Sequence, residues 1–254
     1  MKVQIVFATG NADKVREIRE IIQDPEVSVY SMKELGISSD PEETGTTFEE
    51  NARIKARAVA DILLENPARY LQDLSTPIAV LSDDSGLVVD ALGGAPGIYS
   101  ARFLGRDTSY TEKMNYILSE LKDKTGDERS ARFVCACAAV LLPAPESAAS
   151  GAAALEPAGH EGAALEAAGH EGAALEAADH EGAALEAREI VVTETMEGQI
   201  ADRIAGEHGF GYDPVFYLPE YGKTSAELTD EEKNAISHRG KAFRAMTDRL
   251  RELL

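Results

Sequence analysis

Ile78-Ala79-Val80-Leu81-Ser82-Asp83-Asp84-Ser85-Gly86-Leu87-Val88-Val89 is the stretch on which the reading of this chain turns. Its apolar start, Ile78 to Leu81, predicts a buried strand, and Leu87 to Val89 either extend that strand or pair back on it. Two adjacent carboxylates stand between the halves. Successive strand side chains point to opposite faces, so Asp83 and Asp84 can address one point only where the backbone turns. A turn closing at Gly86, with the acidic pair as its cap, is the structural alternative. A carboxylate at the end of a buried strand must be paired, hydrogen-bonded or bound to a cation, because unpaired desolvation is costly. In a cytosolic enzyme Mg²⁺ is the usual cation.

Strand and helix patterns alternate around this stretch, which predicts an α/β fold. Met1 to Ala8 reads as a first strand. Val15, Ile18, Ile21 and Ile22 follow helical spacing over about Ala12 to Gln23. Thr46 and Thr47, with Glu49 and Glu50 three residues on, announce a helix reaching about Glu65. Thr111 to Asp123 predicts another. A last helix starts near Thr229, capped with Glu232, and carries Ile236, Phe243, Met246, Leu250 and Leu253 inward. Gly93 to Gly97 form a turn-rich loop.

The 254 residues, 44% hydrophobic, suit a globular protein with a substantial core. No apolar run approaches the roughly 18 residues of a membrane span, and the N-terminus shows no signal-peptide pattern. Cys135 and Cys137 lie on one face of a predicted strand and read as core residues of a cytoplasmic protein. The net charge of −20 argues against binding nucleic acid or anionic lipid. Nine of the acidic residues fall between Glu146 and Glu186, where there is no Lys or Arg, leaving −11 for the rest of the chain.

That segment repeats every ten residues, as in Gly162-Ala-Ala-Leu-Glu-Ala-Ala-Gly-His-Glu171. Each unit offers one Leu and no aromatic side chain, too little apolar surface to offset chain entropy. Its histidines, His160, His170 and His180, do not share a helical face as paired metal ligands do. Lying between predicted strands Phe133–Leu142 and Glu189–Thr195, the low-complexity stretch at about 146–187 reads as an expanded hairpin loop inside a single domain spanning 1–254. An interaction arm built on the repeat is the competing reading from another functional class.

Two clusters carry chemistry. Thr9-Gly10-Asn11-Ala12-Asp13-Lys14 sits where a buried strand meets a helix N-terminus, with free N–H donors and partial positive charge. Lys14 opposes the helix dipole there, and a bound phosphate would explain it; an Asn cap with an exposed Lys is the alternative. Gly209-Phe210-Gly211-Tyr212-Asp213-Pro214, with Lys233 and Ser237-His238-Arg239 downstream, can stack a planar base and address its polar edges. The alternative is a packed turn and a helix with a surface His-Arg pair. Gly222-Lys223-Thr224 resembles the end of a P-loop, but Tyr217 stands where its first glycine belongs.

Taken together, Ala8-Thr9-Gly10-Asn11-x-x-Lys14, Glu42-Glu43-Thr-Gly45, Phe48-x-x-Asn51-Ala52, Asp83-Asp84-Ser85-Gly86-Leu87, Leu92-Gly-Gly-Ala-Pro-Gly97 with Ser100-Ala-Arg102, Phe210-Gly-Tyr-Asp213 and Ser237-His-Arg239 closely resemble the inosine/xanthosine triphosphate pyrophosphatases. The resemblance spans nearly the whole chain outside the repeat. It implies an elongated mixed β-sheet flanked by helices, two lobes with a central active-site cleft, a cytoplasmic homodimer and a Mg²⁺ requirement. It also implies hydrolysis of the nucleoside triphosphates ITP, dITP and XTP to the monophosphate and pyrophosphate. Asp84 then matches the general base and metal-associated aspartate, with Glu42 or Glu43 as second ligand and Ser85 as a substrate contact. Thr9, Gly10, Asn11, Ala12, Asp13 and Lys14 match the triphosphate loop. Phe210, Gly211, Tyr212, Asp213, Lys233, His238 and Arg239 match the nucleotide-binding positions. Lys55 and Arg102 are further candidates for phosphate contact, and Asp83 is a supporting residue of undefined role.

Overall fold

The computed structural model describes residues 2–143 and 188–254. Its seven strands form one sheet: β1 (Val3–Phe7), β2 (Val27–Ser31), β3 (Ile78–Val89), β4 (Ser130–Leu141), β5 (Arg188–Ile200), β6 (Phe216–Leu218) and β7 (Lys223–Thr224). Their spatial order is β2-β1-β3-β4-β5-β6-β7. β1 runs parallel to both β2 and β3, and every pairing from β3 onward is antiparallel. The helices are α1 (Ala12–Ile21), α2 (Met32–Leu35), α3 (Phe48–Glu65), α4 (Tyr110–Glu120), α5 (Asp230–Ile236) and α6 (His238–Leu253). The fold is therefore mixed α/β, as the alternation of patterns predicts.

The stretch around the acidic pair resolves in favour of the strand. β3 runs unbroken through it, with Asp83 opposite Cys137 and Asp84 opposite Ala136 in β4. A turn at Gly86 does not form, because β4 supplies a backbone partner along the whole of β3. Gly86 serves another need: a Cβ there would lie 2.4 Å from the Gly97 carbonyl oxygen and 2.6 Å from Ser100 Oγ. Glycine lets the 97–102 turn press directly on the strand.

Strand alternation divides the core. Phe7, Leu81, Cys135 and Cys137 face α1 and α6, meeting Ile18, Phe243 and Met246. Val6, Val80, Ala136 and Ala138 face α3, meeting Ala52, Ala56 and Val59. A third apolar cluster gathers Leu87, Ile117 of α4, Phe133 and Phe216. Both cysteines are fully buried and free, and burial pushes the Cys135 thiol up to about 12. They are core residues, as their spacing predicts.

The C-terminal helix departs from expectation. It is two helices, broken at Ser237, whose backbone is extended and whose Oγ accepts the Gly240 N–H at 2.9 Å. A Cβ on Gly240 would sit 2.0 Å from the Asn234 carbonyl oxygen, so this tight junction requires glycine. Apolar spacing runs on through the break, which is why periodicity alone suggests one helix.

The predicted hairpin is present at its base. Leu141 and Arg188 are register partners at the ends of β4 and β5, so the chain leaves and re-enters the sheet at adjacent positions. The expectations for the repeat and its histidines lie outside the described residues.

Candidate active site

A pocket of about 330 Å³ opens beside the centre of β3. Its walls come from the β1–α1 loop, β3, the 97–102 turn, the 210–213 loop and the start of α6. That volume is at the lower end of those for small-molecule sites. Asp84 lines it, whereas Asp83, on the opposite face of the sheet, meets it only through Lys14 and Arg239.

Asp83 points toward α1 and α6. Lys14 Nζ is 2.9 Å from both carboxylate oxygens, Arg239 Nε lies 3.4 Å away, and Ser85 Oγ donates at 2.7 Å. Burial alone would raise its pKa, but Lys14, Arg239 and Lys55 outweigh burial and hold it far below the usual carboxylate range. Asp83 is thus a fixed anion. It also supplies the negative charge that Lys14 needs at the N-terminus of α1, a role the sequence assigns to phosphate. The expected Asn cap is real, since Asn11 Oδ1 accepts from the backbone of Asp13 and Lys14. Lys14 is nevertheless mostly buried and not a solvated surface charge.

Asp84 points toward α3. Lys55 Nζ is 3.2 Å from Oδ1, and Asn51 Nδ2 is 3.4 Å from Oδ2. Burial and the nearby Glu43 charge raise its pKa, with Lys55 and Lys14 pulling the other way. Lys55 also reaches Glu43 at 3.0 Å, and Glu43 in turn accepts from Arg102 at 3.1 Å. Asp84 and Glu43 therefore converge on a single cation position, held here by an ammonium group. Two hard oxygen donors beside an open pocket fit Mg²⁺, which usually takes one or two carboxylates and completes its shell with water and phosphate. Among the described residues no cluster of three or more His, Cys, Asp or Glu could hold a metal unaided. Of the two glutamates left open by the sequence, Glu43 lines the pocket, whereas Glu42 is exposed and is not part of its wall.

The cations at the base-side end are heavily engaged. Lys233 pairs with Asp213 at 2.8 Å and Glu17 at 3.2 Å; Arg239 pairs with Glu17 and Asp83. Both lie near the Phe210 ring, at 5.2 and 5.3 Å from its centroid. Asp213 accepts the Phe210 N–H, the Ser225 hydroxyl and Lys233, which makes it the anchor of its loop. Tyr212 is also tied down, donating its hydroxyl to the Ser100 carbonyl at 2.9 Å.

His238 and Arg239 are both buried, so the surface-pair alternative fails. The His238 imidazole stacks on Phe133 at 4.8 Å, and its Nδ1 is buried without a hydrogen-bond partner. Burial and the charges of Arg239 and Lys233 push its pKa well down, so the ring is neutral near pH 7.

Of the β1–α1 positions, Thr9, Gly10, Asn11 and Lys14 line the pocket, while Ala12 and Asp13 fall outside it. Asp13 instead lies 3.7 Å from Arg16 on the surface. Sequence reading gives no role to Glu17 or Asn51. Glu17 unites Lys233 with Arg239 from the buried side of α1, and a charged residue beside Ile18 on the apolar face is its only sequence signal. Asn51 joins Asp84 to the Gly45 N–H, which it accepts at 2.9 Å. A Cβ on Gly45 would lie 2.6 Å from Asn51 Oδ1.

The sequence model of the Ham1 family matches residues 5–164 and 172–249. A dITP/XTP pyrophosphatase of Clostridium perfringens (strain 13 / Type A) is 36% identical over 251 residues, spanning 99% of this chain and 98% of that protein. A protein of the same name from Shigella flexneri is 38% identical over 248 residues, spanning 98% of each. The solved structure of a HAM1 protein from Coxiella burnetii superposes with a TM-score of 0.68 at 32% identity, covering 98% of this chain and 99% of that one.

Proposed function

This chain belongs to the Ham1 family, and on that premise we propose that it is a nucleoside-triphosphate pyrophosphatase clearing ITP, dITP and XTP from the nucleotide pool. The products are the monophosphate and pyrophosphate. The observation that carries this reading is Asp84: a largely buried carboxylate of raised pKa, facing a pocket with Lys14 nearby and an aromatic loop at the far side.

A general base must sit where its proton affinity is raised without losing its charge, which is the balance burial and Lys55 create at Asp84. Asp84 orients a water for attack on the α-phosphorus and accepts its proton. Lys14 and the Gly10 N–H of the β1–α1 loop receive the charge that grows on the departing pyrophosphate. Asp84 and Glu43 would hold Mg²⁺, which when bound neutralises phosphate charge and polarises the phosphoryl oxygens. Lys55 and Arg102 then serve as phosphate contacts, with Asp83 keeping Lys14 and Arg239 in place.

Base choice follows from hydrogen bonding. Hypoxanthine and xanthine carry an acceptor oxygen at C6, whereas adenine carries an amino donor. Lys233 and Arg239 are already committed to carboxylates and the Phe210 N–H to Asp213, which leaves neutral His238 and the N–H groups of Gly211 and Tyr212 as the readiest readers of that edge. A site built to donate there leaves adenine mispaired, and such mismatches discriminate strongly.

Pyrophosphate release from ITP, dITP, XTP, dUTP, ATP and GTP, each with Mg²⁺ and with chelator, tests the whole reading. ITP, dITP and XTP are expected to lead. A preference for ATP or dUTP overturns the substrate assignment, and undiminished turnover in chelator overturns the metal. Assembly as a homodimer belongs to the same reading and is checked by analytical ultracentrifugation. Among the described residues no helix is long and apolar enough to cross a membrane.

A further inference from the structure

Two buried cations among the described residues are not used by this mechanism, and one of them, Arg129, has the Asp202 carboxylate 3.7 Å away. Lys113 of α4 is 2% exposed, and among the described residues no carboxylate pairs with it. Its Nζ donates to the Ala101 carbonyl at 2.7 Å and lies 4.8 Å from the centre of the Tyr110 ring. Lys233 and Arg239, buried to a similar degree, each hold two carboxylates. Burying an ammonium group is costly, and an apolar side chain of similar length would fill the space without that penalty. The two contacts Lys113 makes are therefore the place to look for its purpose.

Both contacts lead to the pocket wall. Ala101 and Tyr110 each line the pocket. The Tyr110 ring stands edge-on to Tyr212 at 5.3 Å, and a Cβ on Gly211 would lie 3.6 Å from it, so Tyr110 packs directly on the 210–213 loop. Tyr212 returns its hydroxyl to the Ser100 carbonyl, one residue before Ala101. The result is a closed circuit from Lys113 through Ala101, Ser100, Tyr212 and Tyr110 back to Lys113. Arg102, the next residue, carries the circuit to Glu43.

We propose that Lys113 is a positioning residue for the nucleoside-binding wall, fixing the 97–102 turn and the 210–213 loop against each other without touching substrate. The ammonium grips a carbonyl on one side and an aromatic face on the other, contacts that a neutral side chain cannot make together. The role in nucleoside binding rests on the proposed function above.

Lys113→Met, Lys113→Arg and Tyr110→Leu, each in the full chain, test it by amide hydrogen exchange and by ITP kinetics. Lys113→Met is expected to speed exchange about tenfold in 97–102 and 210–213 while β3 and β4 stay unchanged. It should raise KM for ITP about tenfold with kcat within about twofold, the signature of lost binding geometry. Lys113→Arg, which keeps the charge and its donors, should restore both, and Tyr110→Leu should reproduce the exchange pattern. Exchange altered only within 110–120, or evenly over the whole chain, overturns the proposal, as does an unchanged KM in folded Lys113→Met. If the wild type fails to turn over ITP, the functional reading falls, and the exchange pattern still decides whether Lys113 positions this wall.

Discussion

The two faces of β3 carry the same side chain to opposite ends. On the α1–α6 face Asp83 is enclosed by Lys14, Arg239 and Ser85, and its charge is locked in. On the α3 face Asp84 shares one ammonium with Glu43, and its proton affinity is raised. One residue of sequence separates a structural anion from a candidate base. What divides them is the strand's alternation and the number of cations each face supplies, which shows that chemistry here is assigned by neighbours and not by residue type.

Removing each carboxylate in turn is the sharpest way to break this contrast. Asp84→Asn keeps the shape and is expected to lower kcat for ITP hydrolysis about 10³-fold, within the usual range for a lost general base, with little change in folding. Pyrophosphate release and thermal melting read the two effects separately, and turnover near wild type would sink the catalytic assignment. Asp83→Asn should show the reverse emphasis. It strands Lys14 and Arg239 without their shared anion, a loss of about 3–5 kcal/mol for a broken buried pair, measured by denaturant unfolding. Equal stability in the two variants would mean that the faces do not differ as described.

The same contrast has a pH signature. The folded pKa of Asp83 is lowered, so its contribution to stability is fully present above the unfolded value of about 3.9 and is lost as pH falls through the folded value. Glu17 acts in the same direction, because the charges of Arg239 and Lys233 outweigh its burial. For Asp84 in the metal-free protein the folded pKa is raised, so its ionisation opposes folding, the opposite sign to Asp83. Melting of Asp83→Asn and Asp84→Asn across a pH series in chelator is therefore expected to depart from wild type with opposite pH slopes. Slopes of the same sign would remove the distinction.

The smallest effect is expected far from both aspartates. Deleting residues 151–187 should change ITP turnover by less than about twofold, because the flanking strands meet at adjacent positions, Leu141 and Arg188, whatever length of chain joins them. Leu141 pairs with Ala79, five positions along β3 from Asp84, or roughly 17 Å at ordinary strand rise. Activity lost on that deletion alone would favour the interaction arm.

How far the sequence discloses all this depends on how local each signal is. Asn11 and Thr47 cap α1 and α3 where their short polar side chains predict, and the strand patterns of β1 and β4 are read correctly, whereas the continuity of β3 through Asp83 and Asp84 is left open. Candidate residues also gather as the motifs suggest: Thr9, Lys14, Asp84, Ser85, Phe210 and His238 line one pocket. Long-range partners are another matter. Nothing in the sequence couples Asp83 to Lys14 and Arg239, so the role of Asp83 and its pairing with Lys14 emerge only with the fold. Glu17 and Lys113 look like surface charges on amphipathic helices, yet packing buries them. Asp213 reads as a base contact, and the three hydrogen bonds by which it also anchors its own loop appear only in the fold. The break at Ser237 is hidden because an N-cap serine and continuous apolar spacing give opposite signals at the same place.

The pairing of Leu141 with Arg188 has a consequence for the length of chain that can join them. A connection whose two ends are already side by side pays for added length only logarithmically, about 0.6 kcal/mol for each doubling. Adding or dropping whole ten-residue units between those ends is therefore expected to leave the strand register and the pocket as they were.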